Sequence, residues 1–313
     1  MQRLDKAIYL ISLVWHERTL KDKGNRKVTM TIDRFADLED EVRGIICQAL
    51  DAMKVKSPSD FVLLLARADF HEWLDRDNLD LTPYVIEDER GTMMDITRQT
   101  FLVKYVNSYI DKLMSNQEES DEEREYELNI QMMMYSHIWE SVLFLKQLER
   151  IALVLNGKGY LWERKFDDKL KKGQYIKDCI IDRFKKVDKD MYNLLVSCYS
   201  KKLRNDFAHS TYHIQMETET IYSHQNGLFA GNPIKICDWE EMFLKSVMLS
   251  YHLNDILIKV KDAFIETFGK EPIGIRLPKK GQKGKFLNAY IYPEYDSADS
   301  VRVRFAFLKK GQN

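Results

Sequence analysis

The stretch Lys201-Lys202-Leu203-Arg204-Asn205-Asp206-Phe207-Ala208-His209 decides how this chain is read. It closes a helical pattern that begins near Lys189. Projected at about 100° per residue with Arg204 at zero, Val196, Tyr199, Leu203 and Phe207 fall between roughly 220° and 300°, a core stripe. Asn205 falls at about 100° and His209 at about 140°, so Arg204, Asn205 and His209 fan across the opposite side. A cation, an amide and an imidazole therefore gather on a face that the surrounding helices are not expected to bury.

Three further helices are expected around this one. Residues 125–155 form a long amphipathic stretch, with Ile138, Val142, Leu145, Leu148, Ala152 and Leu155 at three- and four-residue steps, and Asn156-Gly157 ends it. A second helix is expected over 163–186. The helix ending at His209 is the third. A fourth starts near Asp238 and carries Phe243, Val247, Leu253, Leu257, Val260, Phe264 and Phe268 up to Gly269. Four such helices predict a bundle. The joint between the third and fourth is longer, and Thr218–Tyr222 inside it is expected to form a small hairpin.

The acidic run Gln117-Glu118-Glu119-Ser120-Asp121-Glu122-Glu123-Arg124-Glu125 reads as a linker or the acidic first turn of a helix, and places a boundary near residue 118. Three regions result: 1–117, a mixed, mostly helical N-terminal domain; 118–269, the bundle; and 270–313, a basic β-hairpin tail. The fold class expected is mainly α. In the first region Val28–Ile32 alternates in β fashion and Asp33 could cap a helix running to Met53. A second helix is expected after Ser57-Pro58-Ser59-Asp60, and a third over Thr97 to Met114. The N-terminal region carries no chemistry-bearing motif; sensing a trigger or selecting a substrate is the role left for it.

The tail holds 10 Lys and Arg against 4 Asp and Glu. Lys279, Lys280, Lys283 and Lys285 stand in a glycine-punctuated loop, and Arg302 and Arg304 alternate with apolar residues. Basic and aromatic residues interleaved on a ribbon suit a nucleic-acid surface, to which Lys201 and Lys202 would add. A solvated edge hairpin whose lysines prevent aggregation fits the same residues equally well.

Composition limits the remaining classes. The chain has 313 residues, is 44% hydrophobic and 12% aromatic, and so is neither disordered nor fibrous. Its 48 basic and 49 acidic residues nearly cancel, so any polyanionic partner must be drawn by a local patch. Cysteines at 47, 179, 198 and 237 form no close pair, which argues against a zinc ribbon or a disulfide scaffold and suits a reducing cytoplasm. The apolar run Ala7–Trp15 is too short for a membrane span and lacks a cleavage site, so no membrane partner is expected.

Chemically, the trio suits attack of an RNA 2′-hydroxyl on its neighbouring phosphate. Histidine moves a proton most easily near neutral pH, arginine offers a permanent charge with forked donors for phosphate oxygens, and asparagine can orient the imidazole or donate to an oxyanion. The nucleophile belongs to the substrate, so no metal is required. On spacing alone the pair is a weak signal, since most Arg and His residues five apart are surface decoration.

Arg204-Asn205-Asp206-Phe207-Ala208-His209 resembles the R-x4-6-H signature of the HEPN superfamily, in its Arg-Asn…Ala-His form. The resemblance covers about residues 120–268 and includes the place of the motif at the end of the third of four helices. It implies a metal-independent endoribonuclease of the kind found in toxin–antitoxin, abortive-infection and CRISPR-associated defence systems. It further implies a homodimer formed through the face carrying Arg204 and His209. Carried over, Arg204 would bind and stabilise the phosphate, His209 would act as acid and base, and Asn205 would support them, without a cofactor. Alternatives within the resemblance are a non-catalytic HEPN module that binds RNA, a nucleotide or a protein, and the toxin half of a pair with a nucleotidyltransferase antitoxin. In some such toxins a tyrosine two places after the histidine is modified; here that place is Thr211, with Tyr212 next.

Other constellations read as structure. His209 and His213 stand four apart, but no nearby carboxylate or cysteine completes a metal site. His137 and His252 lie inside helices. Asp69-Phe70-His71-Glu72 with Asp75 and Asp77 fits exposed helix charges better than a metal nuclease. Gly157-Lys158-Gly159 reads as a helix stop and Met132-Met133-Met134 as packing.

Overall fold

The computed structural model describes residues 30–71, 83–86, 92–115, 120–162, 171–225, 228–229, 232–268, 271–278, 285–295 and 303–307. The chain is mainly α, with a few small antiparallel sheets. In order its elements are α1 (Ile32–Lys56), α2 (Pro58–Leu65), β1 (Asp69–Phe70), β2 (Tyr84–Val85), α3 (Thr92–Ser115), α4 (Asp121–Ile138) and α5 (Val142–Leu155). Next come α6 (Lys172–Tyr175), which continues through a π-helical turn (Ile176–Ile181) into α7 (Asp182–Phe184), then α8 (Lys189–Cys198) and α9 (Lys201–Ala208). The remainder is β3 (Tyr212–Gln215), β4 (Thr220–Gln225), β5 (Leu228–Phe229), β6 (Ile234–Lys235), α10 (Ile236–Phe268), β7 (Ile273–Pro278), β8 (Phe286–Tyr295) and β9 (Val303–Phe307).

These elements fall into two compact units. The first draws on described residues within Met1–Glu41, Met94–Trp139 and Cys198–Val247, the second on those within Val42–Met93, Glu140–Ser197 and Met248–Asn313.

The first unit is organised by aromatic packing. Trp239 is fully buried, with Tyr135 and Phe207 edge-on to its ring at centroid distances of 5.1 and 4.8 Å. Its indole N–H donates to Gln131 Oε1 at 3.0 Å, and Gln131 donates in turn to the Tyr105 hydroxyl at 2.9 Å. That hydroxyl donates to Glu127, which Lys112 also holds at 2.5 Å. Burial and the Glu127 charge push the Tyr105 phenol well above its ordinary range, so it stays protonated as a donor. The start of α4 is fixed locally: Ser120 accepts from the Glu123 N–H, while the Glu123 carboxylate accepts from the Ser120 N–H at 2.9 Å, a reciprocal cap. Asp121, Glu122 and Glu123 are thus a helical first turn, whereas Gln117–Glu119 lie outside the described residues. At α1, Thr31 rather than Asp33 accepts the first helix N–H, from Arg34 at 3.1 Å; Val28 and Thr29 are not among the described residues.

The second unit buries Phe61 to Leu65 of α2 completely. Two charge clusters sit within it. Asp69 accepts from Lys146 at 2.5 Å and pairs with Arg150 at 3.2 Å; Glu149 accepts from Tyr175 at 2.7 Å and Arg183 at 2.9 Å. Asp69 is therefore a buried structural anion and not part of an exposed acidic face; Glu72, Asp75 and Asp77 lie outside the described residues. The tail is a three-stranded antiparallel sheet, β7-β8-β9, because Ile273–Pro278 adds a strand to the expected hairpin.

His252, in α10, gives this unit a pH signature. Burial, with the Arg43 and Lys259 charges nearby, pushes its pKa down to about 3 from 6.5. The folded protein keeps it neutral while the unfolded chain protonates it, so the contribution is complete above about pH 6.5 and is lost progressively as pH falls toward 3. Urea titrations between about pH 7 and pH 4 should show falling stability, and His252→Gln should flatten that slope.

Two expected helices are each divided. Residues 125–155 break at Trp139–Ser141, where the Ser141 side chain accepts the Phe144 N–H at 3.3 Å and starts α5 anew. The stretch from Lys189 to His209 breaks at Tyr199-Ser200. Of the expected 163–186 helix, only the part from Lys171 is described, and it is helical from Lys172.

Candidate active site

The break before α9 is made by long-range contacts. The Tyr135 hydroxyl donates to Cys198 O at 3.1 Å and accepts from Ser200 N–H at 2.9 Å, so one phenol satisfies backbone groups on both sides of the interruption. Ser246 Oγ donates to the same Cys198 carbonyl at 3.0 Å. Ser200 then caps α9, accepting from Leu203 N–H at 3.3 Å. Tyr199 packs against Trp139 at 4.7 Å between ring centroids, and burial pushes its phenol up to about 12.

Because α9 is a separate helix, the continuous projection holds only inside it. Leu203 and Phe207 are buried as expected, but Val196 is exposed. Asn205 and His209 are exposed and Arg204 is half-buried. Arg204 Nη1 donates to Asn205 Oδ1 at 3.2 Å, which brings two members of the trio together. Burial pulls the Arg204 guanidinium below the usual arginine range, opposed by the Tyr135 phenol; arginine nonetheless stays charged in proteins. His209 caps the C-terminus of α9, its N–H donating to Asn205 O at 3.0 Å.

The chain leaves α9 through a left-handed residue. Thr211 N–H donates to Asp206 O at 2.8 Å and Ser210 N–H to Phe207 O at 3.3 Å, with Ser210 at φ +52°. This is the pairing of a Schellman motif, which favours glycine at the left-handed position. The end of α5 builds the same motif with Gly157 at φ +74°, as Asn156-Gly157 predicts. Serine next to His209 therefore carries backbone strain that glycine would relieve. Ser210→Gly is expected to raise stability by about 0.5 kcal/mol, read as a higher urea midpoint at unchanged slope.

Lys201 and Lys202 are exposed on α9, and Lys202 pairs with Asp206 at 3.4 Å one turn on. Lys285 is exposed at the start of β8, and Arg304 lies in β9 opposite Glu294 in register; both belong to the second unit, whereas the trio belongs to the first. Lys279, Lys280, Lys283 and Arg302 lie outside the described residues. Thr211 contacts Asp206 through its hydroxyl, and the Tyr212 hydroxyl donates to Asn129. His213 and His224 face each other across β3 and β4 with ring centroids 6.3 Å apart. Among the described residues no group of three or more His, Cys, Asp or Glu side chains is placed to hold a metal ion. Nor is any helix among them long and apolar enough to cross a membrane.

Tyr135 and Ser200 are the site-shaping residues that sequence reading overlooked. Ser200 offered a signal, a capping residue just before Leu203 and Phe207; Tyr135, 65 positions upstream, offered none. Comparison of the chain with protein-family models, with curated proteins and with solved structures finds no match.

Proposed function

We propose that this protein is a metal-independent endoribonuclease of HEPN type, acting as a homodimer in prokaryotic defence or growth arrest. The observation that carries the reading is the end of α9, where Arg204 holds Asn205 at 3.2 Å and exposed His209 follows at the helix terminus. In this mechanism an imidazole takes the 2′-hydroxyl proton as that oxygen attacks phosphorus. The bond to the 5′-oxygen breaks, an imidazolium returns a proton to it, and a 2′,3′-cyclic phosphate remains. The Arg204 fork neutralises the added charge on the phosphorane, and Asn205 supports Arg204.

Support for the dimer comes from α4, on which α9 packs. Tyr126 and Met133 stand 70% and 60% exposed there, seven residues apart and so on one side of the helix. The test is incubation of purified protein with end-labelled single-stranded RNA in EDTA. Fragments ending in 2′,3′-cyclic phosphate support the reading. Absence of cleavage under all conditions, with RNA binding retained, would establish the non-catalytic binding module instead.

A further inference from the structure

The outer face of the tail sheet carries an arrangement that the trio does not use. In the β7–β8 register Gly274 pairs with Tyr290, Arg276 with Asn288, and Pro278 with Phe286. Paired residues share a face and neighbours along a strand alternate, so Arg276, Phe286, Asn288 and Tyr290 stand on one side. Ile275, Leu277, Ile291 and Phe305 stand on the other and are buried. Phe286 and Tyr290 are 53% and 51% exposed.

Both rings have a defined setting. The Tyr290 ring borders Gly274 on the paired strand: a Cβ there would meet Tyr290 Cε1 at 3.7 Å, an ordinary contact. The Arg276 guanidinium lies over the Phe286 ring, 5.7 Å from its centroid. Lys285, also exposed, precedes Phe286 directly. The surrounding sequence, 270–313, carries more than twice as many basic as acidic residues. Exposed π-faces within a basic segment match a strand with free bases and a negative backbone. An aliphatic helix of a protein partner would instead require a groove without charge at its centre.

We propose that this face is a stacking platform for single-stranded RNA. Phe286 and Tyr290 each receive a base, Arg276 and Lys285 hold phosphates, and Asn288 bonds to a base edge or ribose. The rings stand four residues apart, about 13 Å along the strand, so the bound RNA must be extended. A duplex cannot use the platform because its bases stack on one another. The proposal rests on the reading that RNA is the ligand, but not on its cleavage.

The test is fluorescence anisotropy of the full-length protein with a labelled 2′-O-methyl oligoribonucleotide of about 12 bases, which lacks the attacking hydroxyl and so separates binding from cleavage. Wild type should bind the single strand at least about tenfold more tightly than the duplex, and the double variant Phe286→Ala/Tyr290→Ala should lose at least about tenfold. Tyr290→Phe, which keeps the ring, should bind like wild type. Photocrosslinking of wild type to 5-bromouridine RNA should label the peptide containing Phe286 and Tyr290, a readout independent of any variant's folding. Unchanged affinity of the double variant, equal binding of the duplex, no binding by wild type, or labelling that leaves out the Phe286–Tyr290 peptide would each overturn the proposal. Unchanged RNA affinity with altered self-association would assign the face to a protein contact instead. Platform-dependent binding without cleavage of ordinary RNA would uphold the platform and sink the endoribonuclease.

Discussion

Replacing His209 by alanine is expected to cut RNA cleavage by about 10²- to 10⁴-fold, the usual contribution of a general acid–base. The same change should leave the thermal midpoint within about 2 °C of wild type, since the side chain is exposed and its helix end is held by backbone bonds. Arg204→Lys tests the partner role. A lysine keeps the charge but loses the fork that meets both Asn205 and a phosphate, and cleavage should fall by about 10²-fold. The double variant should be barely worse than His209→Ala alone, because residues acting in one step do not add. Product ends and rates are read on the same end-labelled RNA in EDTA. Equal cleavage by His209→Ala and wild type would remove His209 from the mechanism.

Trp239→Ala is expected to produce the largest loss of stability, about 3–5 kcal/mol. The indole is fully buried against Tyr135, Phe207 and Phe243, and its N–H is a partner of the Gln131 amide. Truncation opens a cavity and deprives a buried acceptor of its donor, so both terms act in the same direction. Trp239→Phe keeps most of the volume and loses the hydrogen bond, and should cost about 1–2 kcal/mol. Because Phe207 is the anchor of α9 on Trp239, the alanine variant should also lose activity, and a protein-stabilising osmolyte such as sucrose should restore part of it. An activity loss in Trp239→Ala without any shift of the urea midpoint would contradict this account.

The helices of this chain were legible because their causes are local. Apolar residues at helical spacing mark α10 from Phe243 to Phe264, and Asn156-Gly157 stops α5 by the left-handed turn glycine permits. Ser57-Pro58 opens α2, and within α9 the stripe of Leu203 and Phe207 is buried while Asn205 and His209 are not. The candidate trio itself follows from residue types and the phase of the helical pattern that runs from Lys189 to His209.

What local pattern could not supply was interruption. A helical rhythm runs on through Tyr199-Ser200; Ser200 can cap a new helix locally, but the Tyr135 hydroxyl and Ser246, far away in sequence, satisfy the Cys198 carbonyl and the Ser200 N–H at the break. The same holds for Asp69, whose sequence neighbours suggested an exposed acidic face, and which Lys146 and Arg150 instead bury as an ion pair. Sequence by itself determined which residues can do chemistry and the face of α9 that carries them, because side-chain type and helical phase are properties of a few adjacent residues. Tertiary structure alone decided that Tyr135 and Ser246 satisfy the backbone groups at the break before α9 and that Arg204 is half-buried beside Tyr135. It alone decided, too, that β7 joins the tail sheet and brings Gly274 opposite Tyr290, because each of these depends on a partner brought close only by folding.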